Sequence, residues 1–234
     1  MLAIFDTIRT MQVIQTSVSR GFTRYIGGTV RYNRALSLAQ KFESRYGANS
    51  ADYQSLVQRR HGIARCRLVM LPRMSELSFT WWLLVSADGA GPVVDLEHLV
   101  DAKARDHRIQ LGSFELARLP AANRESRARW TWRLPAADFG DRLRYGQVIA
   151  THHSPAQAQA MVDHMATWPG YRGIAQQRRE IWSAMSAARR DARRTDPLSI
   201  PSNTPWPRRL ELVGHGTTLT VAVERMRFSL ESGT

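Results

Sequence analysis

The sequence is poor in several things whose scarcity narrows its function before any motif is sought. It has one cysteine, Cys66, in 234 residues. A disulfide framework and any zinc site built from several thiolates are thereby excluded. Lys41 and Lys103 are its only lysines, so almost every cation is an arginine. No apolar run approaches the roughly 20 residues that a helix needs to cross a bilayer. The opening stretch 1–16 is interrupted by Asp6 and Arg9 and lacks a signal-peptide cleavage pattern, which predicts a cytoplasmic protein with no membrane partner. Acidic residues are scarce as well, 20 against 33 basic ones, giving a formal net charge of +13.

That excess is localised. Residues 20–73 hold eleven cations against two anions, and residues 172–209 hold nine against three, while the rest of the chain is slightly acidic. A GC-rich genome would replace lysine by arginine without selection on chemistry. A guanidinium is also the group that pairs bidentately with phosphate and stacks on bases. Codon bias leaves the surplus of positive charge unexplained. Two basic segments on an otherwise balanced chain predict a polyanion partner. Membrane surfaces and acidic proteins attract such patches too; nucleic acid is the expectation, RNA ahead of DNA.

A hydrophobic content of 43% suffices for one large domain or two small ones. Residues 11–18 read as an edge strand. After Gly27-Gly28, with Thr29 as N-cap, Ala35, Leu38, Ala39, Phe42 and Tyr46 recur at helical spacing, with Arg31, Arg34, Lys41 and Arg45 on the other side. A short helix is expected over 51–60 and strands over 63–71 and 77–85, the second apolar enough to be central. Then come a turn at Asp88-Gly89 and Gly91-Pro92, a helix over 93–105, a strand over 109–119 broken at Gly112, and a strand over 127–134. Helices follow over 136–150, 155–167 and 174–194. A proline-rich connector over 197–207 leads to two strands over 208–228, joined at Gly214-His215-Gly216. This order implies an α+β fold, an antiparallel sheet of ferredoxin-like or RNA-recognition-like type covered by helices, with arginine-rich helical segments. The domains would be 1–150, a basic helical segment over 151–207, and a strand pair over 208–234 returning to a sheet.

Two arginine-alternating strands carry the sharpest pattern. In 127–134, Arg127, Arg129, Thr131 and Arg133 alternate with Ala128, Trp130, Trp132 and Leu134, so the pleat sorts cations from tryptophans. In 63–71, Arg65 and Arg67 oppose Ala64, Cys66, Leu68 and Met70. If the two strands share a sheet, its open face offers guanidiniums to phosphates and unstacked bases. In a generic protein the same pattern marks a solvated sheet face.

Residues 20–34 interleave Arg20, Arg24, Arg31 and Arg34 with Phe22, Tyr25 and Tyr32 around the glycine pair. Read as a turn before a helix, this segment offers amides to a phosphate, or is an ordinary turn. No Gly-Lys-Ser/Thr follows, so it is not a P-loop. Arg59-Arg60-His61-Gly62 offers a general acid or base among cations, set against the simpler reading of an exposed basic helix end. His152-His153 with Asp163-His164 matches no metal-ligand spacing, and neither a metal nor a cofactor is expected. In the last long helix Ile174, Ile181, Trp182 and Met185 form an apolar stripe. Arg172, Arg178, Arg179, Arg189, Arg190, Arg193 and Arg194 crowd the remainder, a surface suited to a phosphate backbone.

An arginine-rich α+β chain with RNA-facing strands and a glycine-containing turn before a late strand, Gly214-His215-Gly216, resembles the repeat-associated RNA-binding proteins of CRISPR systems. Within them it looks most like the crRNA-processing endoribonuclease of type IV systems. The resemblance implies a ribonucleoprotein with partner subunits. It also implies metal-independent cleavage, in which a ribose 2′-hydroxyl attacks the adjacent phosphate. Arg20, Arg24, Arg31 and Arg34 would grip substrate, Arg24 and Arg34 would meet transition-state charge, and His61 and His215 would transfer protons. The competing expectation is a non-enzymatic DNA-binding protein of a plasmid or conjugative element, with helices over 29–60 and 174–194 in a major groove.

Overall fold

The computed structural model describes residues 2–120, 128–201 and 217–232. The chain forms two compact units, Met1–Arg108 with Leu210–Thr234, and Ile109–Arg209. The first divide thus falls well before residue 150.

The first unit opens with β1 (Leu2–Ala3), α1 (Thr7–Ser19), β2 (Arg24–Arg31), α2 (Tyr32–Tyr46), α3 (Asp52–Arg60), β3 (Cys66–Arg73), β4 (Ser78–Val85), α4 (Pro92–Leu96) and β5 (Val100–Asp101). Its sheet has the order β3-β4-β2-β5, every neighbouring pair antiparallel. β2 and β3 both run against the strand between them, so they are parallel to each other and α2–α3 is the crossover. This is the strand order of a ferredoxin-like sheet, the type expected, although β2 and β5 stand where a turn and a helix were expected and the expected strands over 109–119 and 127–134 belong to another sheet.

The pleat explains why β4 is central. Phe79, Leu83 and Val85 project to one face, where Cys66, Leu68 and Met70 of β3 and Ala35, Ala39, Phe42 and Tyr46 of α2 complete a core. Trp82 and Leu84 project to the other and are buried as well. On that second side α1 packs against β3, and Ser17 Oγ accepts a hydrogen bond from Arg67 Nη1 at 3.1 Å. Helices therefore lie on both faces near β3.

Several local expectations are overturned. Residues 11–18 lie in α1, not an edge strand: Asp6 caps the helix by accepting from Arg9 N at 2.8 Å, and Met11, Ile14 and Val18 are buried at helical spacing. Gly27-Gly28-Thr29 is not a turn but the middle of β2, and α2 begins only at Tyr32, with Arg31 as N-cap. The reason is cross-strand packing, since Gly27 is paired with Trp82 and Gly28 with Trp81. A Cβ at Gly27 would stand 2.9 Å from Trp81 O and 3.2 Å from Trp82 Cδ1, so the missing side chain makes room for the neighbouring strand and its indole. The helix expected over 93–105 shrinks to α4, because Val100 leaves it to pair with Tyr25.

The second unit contains β6 (Gln110–Leu111), β7 (Phe114–Leu119), β8 (Arg129–Arg133), α5 (Ala136–His152), α6 (Pro155–Ala166) and α7 (Arg172–Asp191). The strands form an antiparallel sheet in that order. The expected break at Gly112 is a two-residue hairpin loop, with Gly112 at φ +57°. Ala150, Val162, Met165, Ile181, Trp182 and Met185 form the core of the three helices. The chain then returns to the first unit through β9 (Thr217–Thr218), which pairs with β1, and α8 (Leu219–Glu231), whose Leu219, Ala222 and Met226 join the core beside α2. The two strands expected over 208–228 are thus replaced over 217–228 by a short strand and a helix. The Gly214-His215-Gly216 turn lies outside the described residues.

Cys66 faces the core of the first unit, and burial pushes its thiol up to about 12 from 9.0. Because the folded-state value lies above the unfolded one, the contribution of this group to stability is complete below pH 9 and is lost as pH rises toward 12. We expect the thiol to resist a maleimide at pH 8 until denaturant unfolds the protein, and stability measured by urea titration to fall above pH 9 with a slope that Cys66→Ala reduces. Rapid labelling of the native protein would contradict this placement.

Candidate nucleic-acid interface

The arginines singled out in the sequence separate into two groups. Arg24, at the start of β2, aims Nη2 at the carbonyls of Ser86, Ala87 and Gly89, at 2.8, 3.0 and 3.1 Å. It ties down the turn after β4. Asp88 in that turn faces Arg65 at 3.2 Å and Arg59 at 3.9 Å. Burial alone would raise the Asp88 carboxyl, but hydrogen bonds with Ser86 and Arg65 and the Arg65 charge outweigh it and hold the group below the usual range. Arg65 and Arg67 both lie over the Phe22 ring, at 5.0 and 5.5 Å. The face they share is therefore built into the packing of Phe22 and α1 and is not an open platform.

The second group in this unit is Arg20, Arg31, Arg34, Arg45 and Arg60, all exposed and none ion-paired with a carboxylate among the described residues. Arg31 and Arg34 are the N-cap and the third residue of α2. That helix start has no side-chain cap and no acidic residue in its first turn. Cations there oppose the helix dipole, an arrangement unfavourable by about 0.3–1 kcal/mol each unless an anion joins them.

In the second unit, β8 does not neighbour β3; the two arginine-alternating strands belong to different sheets. The alternation itself is real, but Thr131 Oγ1 accepts from Gly173 N at 3.1 Å, so the start of α7 sits on the arginine face. A Cβ at Gly173 would lie 2.6 Å from Trp132 O, which is why a glycine stands there. Arg133 pairs with Glu115, its cross-strand partner, at 2.9 Å. Arg129 is exposed, and Arg127 lies outside the described residues.

Along α7 two of the expected surface cations are buried. Arg178 is 1% exposed, lies 5.2 Å over Trp182, and donates Nη1 to the carbonyls of Met165 and Trp168 at 3.2 and 3.3 Å. Burial, and then the Arg179 charge, lower its pKa. Arg189 donates to Ala150 O at 3.2 Å and to Asp196 O at 3.0 Å, and pairs with the Asp196 carboxylate. Arg172 reaches Pro120 O at 3.5 Å. Arg179, Arg190, Arg193 and Arg194 are exposed, Arg194 with one hydrogen bond to Thr151 O at 3.1 Å. At 1.5 Å per residue, Arg179 and Arg190 stand about 16 Å apart along the helix.

His61 is the exposed C-cap of α3. Arg24, Arg34 and His61 share no hydrogen bond or ion pair with one another, and His215 lies outside the described residues. His164 stands edge-on to Trp168 at 6.4 Å. Among the described residues, no group of three or more His, Cys, Asp or Glu is placed to hold a metal, and no helix is long and apolar enough to cross a membrane.

The structure adds one feature that patterning missed, a cavity of about 180 Å³ between the end of α2, α3 and residues Ala90–Val93. The glycines at 47, 89 and 91 were its only sequence signal. Set against family models, curated proteins and solved structures, the chain matches none of them.

The two arginine groups separate by experiment. Arg24→Ala should destabilise the first unit by about 1.5–3 kcal/mol, since it removes charge-assisted hydrogen bonds to three carbonyls. Arg34→Ala should leave the urea midpoint unchanged and weaken polyanion binding. Equal midpoints for both variants would refute the distinction.

Proposed function

We propose that the protein binds RNA, with exposed, carboxylate-free arginines gripping the phosphate backbone. The observation that carries this is the pair Arg31 and Arg34 at the uncapped, acid-free start of α2. The fold itself gives no reason for cations at that position; Tyr32 N already donates to Leu77 O, and a bound phosphate would satisfy the guanidiniums and the next amides of the helix start. In the second unit Arg179 and Arg190 of α7, and Arg193 just beyond its end, are exposed and support the same reading. RNA is favoured over duplex DNA because a planar guanidinium can stack on the unstacked bases of single strands and loops as well as pair with phosphate. On the resemblance described above, the RNA is a crRNA repeat and the setting a CRISPR-type ribonucleoprotein. Binding without cleavage is the form we favour. Arg24 is engaged by carbonyls, and His61 has neither Arg24 nor Arg34 as a partner.

Fluorescence anisotropy with a repeat-hairpin RNA, a single-stranded RNA and a duplex DNA, each across a salt series, tests the proposal. RNA should bind more tightly than DNA at matched salt. Replacing Arg31 and Arg34 together by alanine should weaken RNA binding and flatten the plot of log affinity against log salt by about 1.4–1.8, the loss of two phosphate contacts. Tighter binding to duplex DNA would overturn RNA as the ligand, and an unchanged salt slope would remove α2 from the interface.

A further inference from the structure

The cavity beside α3 has walls of two kinds. Ile63, Ala64, Pro92 and Val93 are apolar, whereas Arg45 and Gln58 bring the only polar side chains apart from Tyr46, whose hydroxyl already donates to Glu97 at 2.6 Å. No carboxylate lines it. Arg45, Ile63, Ala90 and Pro92 are exposed at the rim, and Ala64 and Val93 are buried at the floor.

Its walls are fixed by backbone contacts. Ala64 N donates to Ala90 O, and Ala90 N donates to Gly62 O, both at 2.9 Å. This close approach requires Gly89, where a Cβ would fall 2.5 Å from Ala64 N. On the opposite side a Cβ at Gly47 would come within 2.9 Å of Gln58 Nε2, so the glycine lets that amide lie across the end of α2.

At about 180 Å³ the cavity is smaller than the roughly 300–1,000 Å³ typical of drug-sized ligand sites, which leaves room for one ring system and not for a dinucleotide. A flat ring fits the apolar walls. Gln58 can donate and accept together, as the hydrogen-bonding edge of a base requires. The nearby end of α3 carries Arg59 and Arg60, and the sequence has no acidic residue from 53 to 75.

We propose that this cavity is a nucleobase site, holding one base unstacked from the bound RNA, with Gln58 reading its edge and Arg45 and Arg60 holding the adjoining phosphates. The assignment rests on the RNA-binding reading and names where that RNA is read. Free nucleotides carry the same chemistry, so both sources enter the test.

The full chain would be titrated calorimetrically with AMP, GMP, CMP and UMP, and by anisotropy with single-stranded RNA, alongside Ala90→Leu, which fills the rim from an exposed position, and Gln58→Ala. Thermal melting establishes that each variant is folded. Saturable binding of at least one monophosphate, abolished by Ala90→Leu, is expected. RNA affinity should fall about tenfold in both variants, within the range for losing one held base. Monophosphate binding lost with RNA binding intact would keep the nucleobase and assign it to a free nucleotide. Folded Ala90→Leu and Gln58→Ala proteins that bind RNA and monophosphates as the wild type does would overturn the site and leave the RNA-binding function standing. A wild type that binds no RNA but retains a monophosphate would overturn that function and keep the cavity. A wild type that binds neither would remove both.

Discussion

Both units depend on guanidinium groups that donate to main-chain carbonyls where the chain leaves regular structure. Arg24 gathers three carbonyls of the turn after β4. Arg178 takes Met165 O in the last turn of α6 and Trp168 O just beyond it, and Arg189 takes Ala150 O near the end of α5. A helix leaves its last four carbonyls without partners, and a cation near them is favoured by the dipole as well as by the hydrogen bond. At Arg189 lysine would serve poorly, because Nε and Nη1 of one planar guanidinium meet the carbonyls of Asp196 and Ala150 while Nη2 meets the Asp196 carboxylate. The contact also differs from an ion pair in its electrostatic result. A carbonyl dipole stabilises the cation without neutralising it, so Arg24 and Arg178 add to the positive field although their guanidiniums are engaged, whereas Arg189 is also paired with the Asp196 carboxylate.

This explains why charge counting reads the chain only in outline. The surplus over 20–73 and 172–209 is a true property of the sequence, but its members divide between structure and surface by contacts that no spacing rule contains. Arg178 and Arg179 are adjacent in sequence; one is buried over Trp182 and the other is exposed. Helical periodicity does place position 178 near the apolar stripe of Ile174, Ile181 and Trp182. A reading that assigns every arginine to solvent discards that signal.

The fold was legible where a pattern was dominated by burial. The two-faced apolarity of β4 marks a central strand, and the alternation of Cys66, Leu68 and Met70 with Arg67 gives the inward face of β3. It was illegible where a partner distant in sequence decides the conformation. Gly27-Gly28 reads locally as a turn, and only the indoles of Trp81 and Trp82 on the next strand make it a strand interior. The start of α1 was a different case. Asp6 is an N-cap in plain sight, but the apolar and polar residues after it mix without a clean period. The cavity beside α3 was beyond reach, since its walls come from three segments joined by the carbonyl and amide contacts of Ala90.

The helix ends supply a rule for sorting the cations. Arg45 of α2, Arg59 and Arg60 of α3, and Arg189 and Arg190 of α7 all stand in the last turns of their helices, where the dipole favours them whether or not a ligand is present. Their place in the helix therefore says little about binding; for Arg45, Arg60 and Arg190 it is exposure without a carboxylate partner among the described residues that bears on it. Arg31 and Arg34 stand at the opposite pole. No carboxylate in the first turn offsets them, and no side chain caps the amides they flank. A placement that the helix itself disfavours is informative in a way that total charge is not. Under the proposed function, an anion would be held at the junction of β2 and α2, where a strand passes into a helix without an intervening loop.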